Sequence, residues 1–175
     1  MSDKLLVLSC CAPCSVGVIG ALRESGRDFT VLFYNPNIRP ENEYRRRLDE
    51  NKRVCAELGV PFAELPYEPS QWDAVCAGRA DESERGERCA LCFRLRLSQA
   101  ARYATENGFA AWTSVLGFSR YKDLDQVNRI ATEVAARYRL PYDFTNWRIY
   151  TQRTATLARV QNLYRQNYCG CKPRK

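Results

Sequence analysis

Short apolar segments alternate with helical segments along this chain, and the alternation limits the possible folds more than any other feature. Apolar runs of strand length predict β-strands at residues 4–9, 29–34, 60–65 and 110–115. Residues 141–145 could form a last strand. Helical spacing predicts helices at residues 16–24, 41–58, 71–77, 90–107, 124–138 and 151–164. This alternation is typical of an α/β fold, a Rossmann-like layered parallel sheet with helices on both faces.

The chain has the size and composition of one globular unit. Its 175 residues and 45% hydrophobic content predict a single domain over residues 1–175. The apolar run at residues 5–8 is too short for a signal peptide. No later run approaches the roughly 20 apolar residues that a membrane helix needs. We therefore expect a cytoplasmic protein without a membrane partner.

Seven of the nine cysteines lie in three short groups, which read CCAPC at residues 10–14, CALC at residues 89–92 and CGC at residues 169–171. In the reducing cytoplasm, such thiols are typical of metal or redox sites rather than disulfides. The first group follows the first predicted strand, at the end of a parallel sheet where ligands bind. The sequence therefore predicts a metal centre.

The spacing within two of the groups supports this interpretation. Cys89 and Cys92 are three residues apart at the start of a predicted helix, so their sulfur atoms lie on one side, where the helix N-terminus favours thiolate. Gly170 permits unusual backbone angles between two cysteines whose sulfur atoms must converge. The remaining two, Cys55 and Cys76, stand alone, and we expect them to be buried as small apolar side chains.

The absence of histidine from the whole sequence excludes several kinds of site. Ser-His and Cys-His nucleophile pairs, zinc sites with histidine ligands and imidazole acid-base catalysis all require that residue. Seven thiolates exceed the four ligands of a structural zinc and suit iron and sulfide better. They would hold a four-iron cluster plus a second metal, or two smaller sites.

Other functions remain open at this point. A zinc-stapled RNA-binding module would also use clustered cysteines, and the net charge of +7 suits a phosphate-rich partner. A tRNA-thiolating enzyme that uses ATP should have a phosphate loop close to SGGxDS after the first strand. The loop here reads SCCAPCSVG. A thioredoxin-like protein would need only one C-x-x-C pair.

Five sequence segments carry a family resemblance. They read LLVLSCCAPCS, FYNPNIRPENEYRRR, GERCALCFRLRL, TSVLGFSRYKDLDQVN and LYRQNYCGC. In this order they resemble the QueH family of cobalamin-independent epoxyqueuosine reductases over nearly the whole chain. The resemblance implies a tRNA-modifying oxidoreductase that removes the epoxide oxygen from the cyclopentane ring of epoxyqueuosine. The product would be queuosine at the wobble position of tRNA.

The resemblance also implies the cofactors, which are a 4Fe-4S cluster and an additional iron ion, without cobalamin. The implied metal ligands are Cys10, Cys11, Cys14, Cys89, Cys92, Cys169 and Cys171. The cluster ligands would come from these cysteines other than Cys14. Some relatives have Asp in place of Cys14, which suggests that this position serves the separate iron. The division of the remaining cysteines between the two centres stays open.

Catalysis would require two electrons, two protons and stabilisation of the oxygen as its bonds break. Cys11 and Cys14 are predicted to hold the iron that faces the epoxide, where a Lewis acid is worth several kcal/mol. Proton donors without histidine could be water, Tyr121, Lys122 or Asp123, of which Asp123 is the predicted catalytic acid. The electrons would come from an unidentified donor.

The predicted partner is the anticodon loop of tRNA. Basic residues that could contact phosphates are Arg45, Arg46, Arg47, Arg120, Lys122, Arg153, Arg159 and Arg165. Aromatic residues that could stack on unpaired bases are Tyr34, Tyr44 and Trp147, although core packing is the expected fate of Tyr34.

Overall fold

The computed structural model describes residues 3–171, and a four-stranded sheet lies at its centre. The strands are β1 (Leu5–Ser9), β2 (Phe29–Phe33), β3 (Phe62–Glu64) and β4 (Ala111–Ser114). All neighbouring strands are parallel, in the order β3-β2-β1-β4. The neighbouring strands β1 and β4 form a topological switch point, because the chain extends the sheet in one direction from β1 and then returns to its other side to add β4.

Within residues 3–171, six α-helices connect or follow the strands. They are α1 (Ala12–Glu24), α2 (Glu41–Leu58), α3 (Pro69–Val75), α4 (Glu87–Glu106), α5 (Leu124–Tyr138) and α6 (Thr151–Val160). A short 3₁₀ helix (Trp147–Tyr150) precedes α6. No helix of residues 3–171 has both the length and the apolar character that crossing a membrane would require.

The residues of β1 alternate between two cores. Leu6 and Leu8 pack with α4 and α5 on one face of the sheet. Leu5 and Val7 pack with α1, α2 and α6 on the other. Because successive strand residues point to opposite faces, an unbroken apolar run such as LLVL indicates a strand buried on both sides. The predicted α/β fold with helices on both faces is confirmed.

Helix α1 and helix α6 approach each other very closely at Gly17. A Cβ atom there would lie 2.1 Å from Oγ1 and 2.9 Å from the backbone N of Thr154. Only glycine leaves room for this contact. The close approach brings α6 over the start of α1, beside the cysteines that follow β1.

The predicted last strand at residues 141–145 is wrong. This segment makes a single parallel bridge between Tyr142 and Trp112. Pairing ends there because the Asp143 carboxylate turns back to accept hydrogen bonds from the backbone N and hydroxyl of Thr145, at 3.0 and 2.6 Å. Side-chain capping of this kind replaces the strand ladder with a turn. The final helix also ends earlier than predicted, at Val160.

Candidate metal centre

The carboxyl ends of β1 and β4 open into a cavity of about 470 Å³. Its walls come from the cysteine loop after β1, the segment after β4, helix α6 and residues 165–169. Ligands of open α/β sheets bind at such a switch point. Four of the predicted ligands line the cavity: Cys10, Cys11, Cys14 and Cys169.

Cys10, Cys11 and Cys14 form a compact group, which we call the thiol triad. Within residues 3–171, these are the one set of three or more Cys, Asp or Glu side chains whose ligand atoms all lie within 4.8 Å of one another. The Sγ atoms of Cys10 and Cys11 are 3.7 Å apart. Two sulfur atoms bound tetrahedrally at about 2.3 Å from one metal ion lie about 3.8 Å apart. The spacing therefore fits a shared metal ion.

Local structure fixes the triad. Cys10 follows β1 directly, Cys11 is the N-cap of α1, and Pro13 lies in the first turn, a position that suits proline. The Ser15 hydroxyl donates to the Cys11 carbonyl at 2.8 Å. One strand end and one helix start thus hold all three side chains.

The remaining predicted ligands form a second set, which we call the thiol quartet: Cys89, Cys92, Cys169 and Cys171. Cys89 and Cys92 lie in the first two turns of α4, and both are buried. Cys171 packs in the same cluster as Cys92, and Cys169 lies close enough to add to the rise in the pKa of Cys92 that burial mainly causes. The fold therefore brings CALC and CGC together.

Hydrogen bonds to the backbone hold the C-terminal cysteines in place. Arg47 donates to the carbonyls of Tyr168 and Cys169, at 3.1 and 2.8 Å, and Arg39 N donates to the Gly170 carbonyl at 2.8 Å. Gly170 has a φ of 135°, and a Cβ atom there would lie 2.8 Å from Ile38. Glycine is required at this position for both reasons, as the sequence predicted.

The electrostatics favour one thiolate in each set. Hydrogen bonds from Cys11 and Cys14 lower the pKa of Cys10, although burial opposes this, and the same contacts with Cys10 raise the pKa values of Cys11 and Cys14. The hydrogen bond from Cys171 likewise lowers the pKa of Cys169 and raises that of Cys171. In each set, one thiol therefore loses its proton more readily than its neighbours.

Three cations surround the thiols, and their side chains line the same cavity. They are Arg47, Arg96 and Lys122. Arg47 and Arg96 are each 2% exposed. Burial opposes the charge on Lys122, but the neighbouring Cys169 outweighs it, so the pKa of Lys122 is raised. Buried cations of this kind offset the charge of several thiolates.

The two cysteines predicted to stand alone, Cys55 and Cys76, are both buried, but only Cys55 lies away from the candidate metal ligands. Burial raises the pKa of Cys55 to about 12, and Cys55 belongs to the core beneath α1 and α2. Burial also raises the pKa of Cys76 to about 12, yet Cys76 packs against Cys92 and Cys171. That Cys76 borders the thiol quartet could not be predicted from local spacing, because the contact joins segments far apart in the chain.

The predicted proton donors occupy different places. Lys122 and Tyr121 line the cavity, and Tyr121 is 44% exposed at its mouth. Asp123 is the N-cap of α5, where its carboxylate accepts from the backbone N of Gln126 at 3.1 Å. The catalytic role of Asp123 stays a prediction, with Lys122 as the neighbour that faces the cavity.

The residues predicted to contact tRNA also separate into two groups. Tyr44 and Trp147 are buried, which makes their predicted stacking on tRNA bases wrong, whereas Arg47 is buried in the lining of the cavity and its contact with tRNA stays a prediction. Tyr34 is buried as expected. Exposed positions include Arg45, Arg46, Arg120, Arg159 and Arg165, and Arg165 lines the cavity. Arg153 forms an ion pair with Glu24 at 2.5 Å.

The family model described as epoxyqueuosine reductase QueH matches residues 5–173. Two curated proteins named epoxyqueuosine reductase QueH, from Histophilus somni (strain 129Pt) and Haemophilus influenzae (strain ATCC 51907 / DSM 11121 / KW20 / Rd), are 45% and 43% identical to this chain. Each alignment covers 97% of this chain, and 71% and 70% of the two relatives.

A solved structure shares the fold. The U34-tRNA thiolase NcsA from Methanococcus maripaludis, determined with its 4Fe-4S cluster, superposes with a TM-score of 0.59 at 13% sequence identity. The superposition covers 98% of this chain and 61% of the thiolase. At this level of identity the likeness establishes the α/β architecture alone.

Proposed function

This chain belongs to the QueH family of epoxyqueuosine reductases, an oxidoreductase family, and we propose that it reduces epoxyqueuosine to queuosine at the wobble position of tRNA. The observation that carries the proposal is the thiol triad in the lining of a cavity at the sheet's switch point. The reaction breaks both C–O bonds of the epoxide and forms a C=C bond. It consumes two electrons and two protons, and the oxygen leaves as water.

The donor sets fit the two metal centres that the family resemblance implies. We assign the thiol triad to the additional iron, because its sulfur atoms lie close enough to share one ion. We assign the thiol quartet to a 4Fe-4S cluster, whose four thiolate ligands stand further apart around a larger centre. Such centres supply electrons one at a time and an open Lewis-acidic position. No cobalamin enters this scheme, and an external low-potential donor supplies the electrons.

The protein's own residues supply binding and proton chemistry. A cavity of about 470 Å³ is large enough to enclose a single nucleoside. Its apolar walls, including Phe93, Leu116 and Phe118, exclude water from the reacting ring. The Lys122 ammonium, kept charged by Cys169, holds a proton at Nζ inside the cavity and is our candidate donor to the leaving oxygen.

The tRNA would dock on the rim of this cavity, which is exposed and basic. Arg120 lies over the ring of Tyr121, 5.1 Å from its centroid, and Arg85 donates to the backbone carbonyls of both residues. This arrangement presents Tyr121 as a stacking surface for an unpaired anticodon base. Arg165 also lines the cavity and is exposed. Because tRNA is the substrate, we place the activity in the cytoplasm.

The test is nucleoside analysis of epoxyqueuosine-containing tRNA after anaerobic incubation with the iron-loaded protein and a low-potential reductant, without cobalamin. We expect queuosine to form. Cys11→Ala and Cys14→Ala should abolish turnover while tRNA binding persists, because phosphates are held by charges at the rim. Cys55→Ala is the matched control and should retain activity. Unchanged epoxide with fully loaded protein, or zinc in place of iron and sulfide, would show that the proposal is wrong.

A further inference from the structure

Two buried nitrogen donors lie beside Cys92 without ordinary acceptors. The Nε1 atom of Trp72 is buried and has no hydrogen-bond partner among residues 3–171, although the ring packs against Cys92. The Nε atom of Arg96 is also buried without a partner in that range. Nη1 of the same guanidinium lies 4.0 Å from Cys92 Sγ. A buried donor without an acceptor is destabilising, so two of them beside one sulfur atom indicate that the site is built for an acceptor there.

Both donors are held firmly in these positions. Arg96 donates through Nη2 to the side-chain oxygen of Asn35, and the side-chain nitrogen of Asn35 donates to the Ser9 carbonyl at 3.0 Å. Arg39 lies over the Trp72 ring, 5.8 Å from its centroid, and pairs with Asp73 at 2.6 Å. The donors therefore cannot relax toward other acceptors without breaking these contacts.

A thiolate at Cys92 that carries extra negative charge would satisfy both donors. Arg96 Nη1 lies 4.0 Å from Cys92 Sγ, and the Trp72 ring packs in the same buried cluster as this cysteine. The surroundings of Cys92 Sγ are therefore suited to a sulfur atom that carries more negative charge than a neutral thiol does. One-electron reduction of an iron–sulfur centre adds such charge to its sulfur atoms.

We propose that Trp72 and Arg96 are positioning residues that raise the reduction potential of the iron–sulfur centre by stabilising negative charge on Cys92. The inference rests on the proposed function, because it needs Cys92 to be a cluster ligand. Hydrogen bonds and positive charge near ligand sulfur atoms stabilise the reduced form more than the oxidised form. The residues around Cys92 would then determine which electron donors have a potential low enough to reduce the iron–sulfur centre.

The experiment is a redox titration of anaerobically prepared holoprotein, followed by electron paramagnetic resonance. Trp72→Phe keeps an aromatic ring and removes the N–H. At the midpoint potential of the parent, we expect its ratio of reduced to oxidised cluster to fall about tenfold, the factor that one hydrogen bond to a charged group supplies. For a one-electron couple this corresponds to a shift of about 59 mV to lower potential. Arg96→Gln should shift further, and Arg96→Lys less than Arg96→Gln.

Trp112→Phe is the matched control, because it removes an indole N–H that bonds to the Leu140 carbonyl at 3.3 Å, away from the cysteines. Its potential should equal that of the parent. Equal potentials in Trp72→Phe, Arg96→Lys and the parent, with equal iron and sulfide contents, would overturn this inference and leave the proposed function standing. If Trp72→Phe does not retain a cluster, the reduction potential of Arg96→Lys tests the inference instead. A potential equal to that of the parent would overturn it. A parent protein without any iron–sulfur cluster would overturn both proposals.

Discussion

The thiol triad and the thiol quartet meet at one cavity, which is lined by the whole triad and by Cys169 of the quartet, but the chain builds the two sets in different ways. The triad lies within one turn between β1 and α1, where a strand end and a helix cap set the backbone. The quartet joins α4 to a C-terminal segment that has no regular secondary structure over residues 165–171. Local structure therefore makes the triad, whereas long-range contacts make the quartet.

A single buried arginine supplies much of that long-range contact. Arg47 Nε pairs with Glu43 at 2.7 Å, and its other nitrogen atoms bond to the carbonyls of Tyr168 and Cys169. Tyr164 also donates to Glu43, at 2.9 Å. The triad should therefore keep its structure when the quartet is disturbed. The quartet, in contrast, depends on contacts with α2 as well as on its own cysteines.

The strongest way to separate the two sets is to remove their ligands. We expect Cys89→Ala or Cys171→Ala to lose essentially all acid-labile sulfide, because the quartet is assigned to the cluster. Cys11→Ala should keep the sulfide and lose about one iron per chain. The measurement is iron and sulfide quantification after anaerobic purification, with Cys55→Ala as a control that keeps both. Equal losses from Cys89→Ala and Cys11→Ala would mean that the two sets form one centre.

Arg47→Met tests the dependence of the quartet on α2. Removing one partner of a buried ion pair costs about 3–5 kcal/mol, because Glu43 would remain buried without its partner. We expect that loss in the free energy of unfolding of the metal-free reduced protein, measured with urea, together with a lower sulfide content. Arg45→Met is the control, since the Arg45 and Glu41 side chains are 70% and 57% exposed, and such helix pairs are worth about 0.3–0.5 kcal/mol. Equal effects of the two variants would refute the structural role of Arg47.

Gly17→Ala probes how firmly α6 is seated on α1 and hence on the triad. The added methyl group would meet Thr154 at its backbone, and overpacking of this kind costs about 1–3 kcal/mol. Gly20→Ala, one turn along the same helix, is the control. There the methyl would meet only the flexible end of Arg153, and helix propensity favours alanine by about 1 kcal/mol. Thermal unfolding of both variants measures the difference, and a Gly17→Ala variant as stable as Gly20→Ala would contradict the close approach.

Local sequence predicts much of the fold and shows which cysteines are candidate metal ligands. The bounds predicted for α2 and α5 agree with the structure, because each has a clear buried face and an evident end. The three cysteine groups were recognisable by spacing alone. What the spacing could not reveal is their arrangement as three plus four, which depends on how α6 returns the chain to α2.

Two buried arginines were missed, although the sequence carries a signal for each. Arg47 was read as part of the basic run at residues 45–47, yet it lies three residues from Tyr44 and seven from Val54, on the buried face of α2. Arg96 lies four residues after Cys92 on α4, on the same face. Helical periodicity therefore places both side chains inward. Charge alone suggested the opposite, because arginine is rarely buried without partners.

The smallest predicted effect concerns the outer side of the C-terminal segment, where the quartet meets solvent. Arg165 is exposed, lines the cavity and bonds to the Ala155 carbonyl at 3.3 Å. If it contacts one tRNA phosphate, Arg165→Ala should make the slope of log affinity against log salt less steep by about 0.7, the value for one contact on a single strand. Filter binding with epoxyqueuosine-containing tRNA at several salt concentrations gives this slope.

Arg137→Ala is the matched control for that measurement. Arg137 is also exposed, but it lies in the last turn of α5, and helices that follow parallel strands run back toward the opposite end of the sheet. Its removal lowers the net charge by the same amount without touching the rim, so the salt slope should stay at the parent value. Equal slopes for both variants would mean that tRNA is attracted by overall charge alone. A change confined to Arg165→Ala would show that the segment carrying Cys169 also holds tRNA, which would couple substrate binding to the quartet.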